Sequence, residues 1–225
     1  MQFTYYGHSC FAVEVAGKKL LFDPFITGNE LAKKIDVNAI EADYILVSHG
    51  HGDHVGDLVS IAKRTGATVI GMYEVVAWAQ GQGAPKIHGM NLGTHSFEFG
   101  EVRMVPAAHS SSMPDGSYGG VAAGIIVKSS EGSFYFAGDT CLTMDMQLIP
   151  RYGKMDFAVL PIGGNFTMNA EDAAIAADFA QVTKVVGCHY DSFPPIKIDH
   201  LKAKEVFKNA GKELLLLNPG QTIEL

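Results

Sequence analysis

Positions 48–57 of the chain read S-H-G-H-G-D-H-V-G-D, so that His49, His51, Asp53 and His54 crowd together with nothing but glycine separating the first three. The run YILVS just before them is continuously apolar and predicts a strand covered on both faces. Just past such a strand, residues two apart point the same way, so the imidazoles of His49 and His51 can converge on one point. Asp53 and His54 then turn away and can serve a second point nearby. Glycines at 50 and 52 admit backbone with positive φ and leave room for close approach. Imidazole and carboxylate without thiolate suit Zn²⁺, Mn²⁺ or Fe²⁺. The alternative is a histidine-rich surface turn.

A metal needs more ligands than one short loop readily provides, and three further candidates each follow a predicted strand. His109 comes after VRMVPAA, Asp139 after FYFAG and His189 after VVGC. Strand ends gathered at one edge of a sheet are where α/β folds build their sites. The Asp139 carboxylate has two oxygens and can bridge two ions. Five imidazoles and two carboxylates suffice for two sites of roughly three or four protein ligands, each with room for a water. Two such ions activate a water for attack on a carbonyl or phosphorus centre.

The elements that must position these residues follow from pattern. FTYY, FAVEV and KKLLF predict strands, the last two joined at Ala16-Gly17 by a hairpin turn. Asp57 is placed to cap a helix through LVSIAKRT that Gly66 ends; ATVIGM predicts a strand and YEVVAWAQ a helix closed by Gly81. Strands return in HSFEF, VRMVPAA, GGVAAGIIVK and GSFYFAGD. FAVLPI, an Asn169-capped helix through AEDAAIAADFA, the strand KVVGCH, a helix through HLKAKEVFKNA and LLLLN follow. This order predicts an α/β chain of two mixed sheets with helices outside. No internal repeat is visible.

The 225 residues fall within the range of one domain, 1–225, with no linker-like stretch. A 47% apolar, 18% charged composition can bury a substantial core. The net charge of −7 and the absence of a basic run argue against nucleic acid as a partner. The N-terminus has no signal-peptide pattern and no apolar run is long enough for a membrane span. Cys10, Cys141 and Cys188 are odd in number and far apart, which predicts free thiols and a cytoplasmic home. The expected partner is a small-molecule substrate; association into a homo-oligomer stays open.

His49, His51, Asp53 and His54 match the signature H-x-H-x-D-H, and with His109, Asp139 and His189 in order the chain resembles the metallo-β-lactamase-fold superfamily. GHSCF near the start and PIGGNFTM (161–168) are similar, more narrowly, to its small bacterial and archaeal metal-dependent hydrolases. These in turn resemble ascorbate-6-phosphate lactonase and N-acyl-phosphatidylethanolamine phospholipase D. The resemblance implies a four-layer αβ/βα sandwich with a dinuclear site at the shared sheet edge. It implies His49, His51 and His109 at one metal, Asp53, His54 and His189 at the other, and Asp139 bridging. It implies two divalent ions, Zn²⁺ first with Mn²⁺ or Fe²⁺ as alternatives, and hydrolysis of a small ester, lactone, amide or phosphodiester by a metal-activated water. Histidine at 51, where the di-iron flavoprotein branch carries glutamate, argues for hydrolysis, and Asp139 in place of a thiol disfavours antibiotic hydrolysis. Asp23 is expected to support the metal loop from behind, and Asp53 to orient the nucleophile's proton. His8 is expected to face the site as substrate contact or acid, or else to be a buried structural residue, and Asn165 to lie beside the substrate. The segment 110–120 reads as a mobile substrate loop or an ordinary connection. A tRNA 3′-processing-type nuclease and a metal-containing binding protein without catalysis are the competing functions.

Overall fold

In the computed structural model, which describes residues 1–225, the first three strands form an antiparallel meander. They are β1 (Gln2–Gly7), β2 (Cys10–Val15) and β3 (Lys18–Phe22). Ala16 and Gly17 both adopt left-handed backbone, φ 50° and 69°, the turn whose twist matches a two-residue hairpin. β4 (Tyr44–Val47), β5 (Thr68–Met72) and β6 (Lys86–Met90) then add in parallel. The crossovers hold α1 (Gly52–Val55), α2 (Leu58–Thr65) and α3 (Tyr73–Gly81). β7 (Thr94–Phe97) starts the second sheet.

The second half repeats the plan. β8 (Gly100–Pro106), β9 (Ala123–Ser129) and β10 (Gly132–Phe136) form another antiparallel meander. β11 (Phe157–Pro161), β12 (Lys184–Cys188) and β13 (Glu213–Leu215) continue in parallel through α4 (Ala170–Phe179) and α5 (His200–Asn209). β14 (Thr222–Glu224) returns to pair with β1. Each sheet therefore has seven strands, three connected as a meander and three in parallel, plus one edge strand lent by the other half. No repeat visible in the sequence announces this duplication of topology. β6, β14 and the 3₁₀ segment Met144–Tyr152 are elements the sequence pattern did not predict. The two strands lie at sheet edges, where burial does not alternate cleanly.

The sheets pack face to face through phenylalanine. Phe3, Phe11 and Phe22 stack across β1–β3 with centroids 4.9 and 4.5 Å apart, and meet Phe157, Phe136 and Phe134 edge-on at 6.0, 5.1 and 5.7 Å. All six are fully buried, and aromatic pairs of this geometry each add about 0.5–1.5 kcal/mol beyond area burial. Outside the second sheet, α4 turns a face of small residues inward (Ala173, Ala176 and Ala177 are buried) and α5 inserts Phe207. α3 covers β5 and β6 on the other side, completing two mixed sheets with helices on their outer faces. Asn169 caps α4 as expected, its side chain accepting from the Asp172 amide at 2.8 Å. Asp57 stands at the cap position of α2, but its carboxylate makes no cap bond. It instead accepts from the Ile26 and Thr27 amides and the Thr27 hydroxyl at 2.6, 2.9 and 2.6 Å. That clamps the segment after β3 against the turn after the histidine cluster.

Candidate metal centre

The ends of β3, β4, β8, β10 and β12 meet at one edge of the sandwich, and they bring Asp23, His49–His54, His109, Asp139 and His189 together. Asp139 lies at the middle. Its Oδ2 is 3.0 Å from His189 Nε2, 3.3 Å from His54 Nε2, 3.6 Å from His109 Nε2 and 4.0 Å from His49 Nε2. Around it the donor atoms form two groups, each spanning no more than 4.8 Å: His49, His51 and His109; and Asp53, His54 and His189 together with His8; a third such group, Asp23 with His49 and His54, joins them from behind.

Hydrogen bonding sets which ring nitrogen His49 and His54 present. Asp23 is fully buried, which raises its pKa while His54 beside it acts in the other direction; as a carboxylate it only accepts. Its Oδ1 takes the Ser48 amide at 2.8 Å, while Oδ2 takes the Ser48 hydroxyl at 2.5 Å and His54 Nδ1–H at 2.7 Å. Ser48 has then used its one proton, so its oxygen accepts from His49 Nδ1–H at 2.9 Å. Both His49 and His54 are thereby turned with Nε2 toward Asp139. A carboxylate behind an imidazole is the usual device for orienting a ligating histidine. Asp23 thus stands where a supporting role would put it.

The charge pattern calls for cations between these groups. His54 Nε2 and Asp139 Oδ1 are buried polar atoms without a hydrogen-bond partner, a costly arrangement in the absence of a ligand. Burial disfavours charge on His54, yet Asp139 and Asp23 on either side raise its pKa well above the imidazole range. Burial likewise opposes ionisation of Asp139, but His54 and His189 hold its carboxyl well below the usual range. Burial lowers the pKa values of His49, His51 and His109, keeping these imidazoles in the neutral form that ligates. The donor set therefore fits two divalent transition-metal ions.

The glycines do something other than the sequence suggests. Neither Gly50 nor Gly52 has positive φ. A Cβ on Gly50 would lie 2.4 Å from Met113 Sδ and 3.2 Å from Ser112 O, so the space is taken by a neighbouring hairpin and not by a ligand. Around Gly52 nothing lies within 4 Å. The hairpin is the 110–120 segment, and it is tied down: Ser112 pairs with Tyr118 and Ser111 Oγ accepts the Gly50 amide at 3.1 Å. Trp78 Nε1–H donates to Asp115 at 2.8 Å. It therefore braces the ligand loop and is not a loose connection.

His8 departs from an open substrate contact. Its ring is fully buried, with Nε2 3.1 Å from Asp53 Oδ2 and Nδ1 on the Ser192 hydroxyl. Burial lowers its pKa to about 4, so it is neutral at neutral pH. Asn165 sits exposed at the tip of the 163–168 turn, φ 58°, hydrogen-bonded to no side chain of the cluster. Ser48, Ser111 and Ser192 carry contacts that residue type alone does not announce. The same 163–168 turn does touch the cluster through Gly163, where a Cβ would lie 2.2 Å from the His189 carbonyl oxygen. Gly163→Ala is expected to push back the His189 backbone at about 1–3 kcal/mol. Thermal unfolding should show the midpoint falling by several degrees (about 2–4 °C per kcal/mol at this size), with weakened uptake of one ion of the pair.

The family described as beta-lactamase superfamily domain matches residues 18–190. UPF0173 metal-dependent hydrolases of Christiangramia forsetii and Methanopyrus kandleri are 49% and 44% identical to the chain, with 100% of both partners covered in each comparison. Among solved structures, Igni18, a metallo hydrolase from the archaeon Ignicoccus hospitalis, superposes with a TM-score of 0.89 at 34% identity, covering 99% of this chain and 97% of that one. An isothiocyanate hydrolase from Delia radicum gut bacteria shares the fold at TM-score 0.78 and 18% identity, over 100% and 99% of the two chains.

Proposed function

The chain belongs to the metallo-β-lactamase superfamily, in its branch of small metal-dependent hydrolases, and from that premise we propose that residues 1–225 form one dinuclear zinc hydrolase domain acting on a small ester, lactone, amide or phosphodiester. One observation carries the reading: a single buried carboxylate oxygen, Asp139 Oδ2, lies within 4.0 Å of four imidazole Nε2 atoms delivered by three separate strand ends. In this reading His49, His51 and His109 would hold one ion, Asp53, His54 and His189 would hold the second, and Asp139 would serve both. Ions bound there supply Lewis acidity and lower the pKa of a water from about 15.7 toward about 7.

The chain's own groups do the rest. Asp23, acting through Ser48 and directly, keeps His49 and His54 in the ligating tautomer. Asp139 is 2% exposed and Asp53 29%, so Asp53 is the carboxylate that solvent reaches. Its pKa is held low by the His8 hydrogen bond and His54 against the opposing effect of burial, so it stays ionised and would accept a hydrogen bond from an approaching water, orienting the lone pair toward the substrate. Ser110, 3.3 Å from His51 Nε2, lies on the open side. No helix is long and apolar enough to cross a membrane, and Cys10, Cys141 and Cys188 are all free. The free thiols support the cytoplasmic placement proposed here.

The test is a panel of esters, lactones, amides and phosphodiesters run on chelator-stripped protein and on protein reconstituted separately with Zn²⁺, Mn²⁺ and Fe²⁺. Turnover should vanish on stripping and return with metal, highest with zinc. Undiminished turnover by fully stripped protein would reject the proposal.

A further inference from the structure

His8 follows β1 as His109 follows β8, so in the duplicated topology the two occupy the same station in opposite halves. His8 has been withdrawn from the opening. It is fully buried, adopts left-handed backbone at φ 55°, and is held there from both sides. Its carbonyl accepts the Tyr5 hydroxyl and the His189 amide, both at 2.9 Å. Phe25 and Phe193 meet its ring edge-on with centroids 5.6 and 5.5 Å away, and the His189 ring lies 4.2 Å off. A non-glycine residue persists in this conformation only where its surroundings over-determine it.

The polarity of the chain Ser192–His8–Asp53 can be read from its ends. An ionised Asp53 only accepts, so His8 Nε2 carries the proton across the 3.1 Å contact. His8 Nδ1 is then a bare acceptor, and the Ser192 hydroxyl, which has no other acceptor in the protein, donates to it. Asp53 Oδ2 stands 3.9 Å from both His54 Nε2 and His189 Nε2. We propose that Ser192 and His8 are positioning residues for the second ion: Ser192 sets the His8 tautomer, and His8 holds the Asp53 carboxylate at the angle from which it ligates. The inference rests on the two-ion reading above and deepens it: there the His8 hydrogen bond only keeps Asp53 ionised, and Ser192 has no role. It also links the loop after β12 to the metal loop after β4 by side-chain hydrogen bonds.

The test is Zn²⁺ titration against a competing chelator, with thermal unfolding of the ion-free protein alongside, for wild type, His8→Ala, His8→Gln and Ser192→Ala. The weaker of two wild-type affinities should drop about 10–100-fold in His8→Ala and about 10-fold in Ser192→Ala, the range for groups that orient a ligand. His8→Gln, whose amide N–H still reaches toward Asp53, should recover most of the loss. A His8→Gln variant as poor as His8→Ala would show that an N–H donor to Asp53 is not what His8 supplies, and would overturn the proposal. Wild-type affinities in both His8→Ala and Ser192→Ala, whatever their melting points, would also overturn it. If His8→Ala does not fold, Ser192→Ala and His8→Gln decide by the same criteria. Wild-type protein that binds fewer than two ions would fail the two-ion reading itself, an outcome distinct from either.

Discussion

Asp139→Asn is expected to leave the protein unable to hold its pair of ions and to lower turnover by about 1000-fold or more. The substitution keeps shape and removes charge. Asp139 Oδ2 lies within 4.0 Å of donors in both clusters, so its loss strikes both ions, whereas losing His51 strikes one. An asparagine oxygen still points inward, but it brings no negative charge to offset two dications in a site only 2% exposed. Losing Lewis-acid assistance worth several kcal/mol, at about 1.4 kcal/mol per tenfold in rate, gives the stated factor. Elemental analysis of the purified variant and steady-state turnover check it together. Two retained ions in Asp139→Asn would remove Asp139 from the bridging place.

The seven candidate ligands were legible because each combines a chelating side chain with a position just past an apolar run, and strand ends collect at sheet edges whatever the sheet order. Most strands were legible too, since residues such as Phe134, Phe136 and Val159 are buried on strands whose neighbours are equally apolar. What stayed hidden has physical causes. The edge strand β6, KIHGM, has half-exposed and exposed positions mixed and mimics a loop. The repeat of topology resides in strand order and direction, which many sequences satisfy, so no residue periodicity betrays it. Ser48 and Ser192 are ordinary residues whose importance comes from a single proton each, and only their partners' positions disclose where it goes. Gly50 was noticed for the right reason, close approach, but the approaching group is Met113, sixty-odd residues away in a hairpin no local pattern connects to it.

The sharpest probe of that hidden layer is Asp23→Asn. It touches no donor aimed at the ions, and in size it changes almost nothing. It does change proton bookkeeping. Asp23 accepts three hydrogen bonds, from the Ser48 amide, the Ser48 hydroxyl and His54 Nδ1. Asparagine can keep the amide bond through its oxygen, but its NH₂ then faces His54 Nδ1 and the Ser48 hydroxyl. Two donors cannot share one contact, so His54 must move its proton to Nε2, the atom that faces Asp139 at 3.3 Å. Ser48 must likewise turn its hydroxyl proton away from residue 23, which unsettles its contact with His49 Nδ1. A ligand nitrogen on each cluster is thus blocked or unsettled by a change made behind both. The expected result is metal affinity lower by about 10–100-fold. Asp23→Ala, in contrast, leaves buried donors unpaired at about 1–3 kcal/mol each and should melt about 10 °C lower even without ions. Titration and thermal unfolding on the two variants separate the effects: Asp23→Asn should shift affinity more than stability. Wild-type affinity in Asp23→Asn would mean that His54 does not need Asp23 to present its nitrogen, and the tautomer assignment through Ser48 to His49 would go with it.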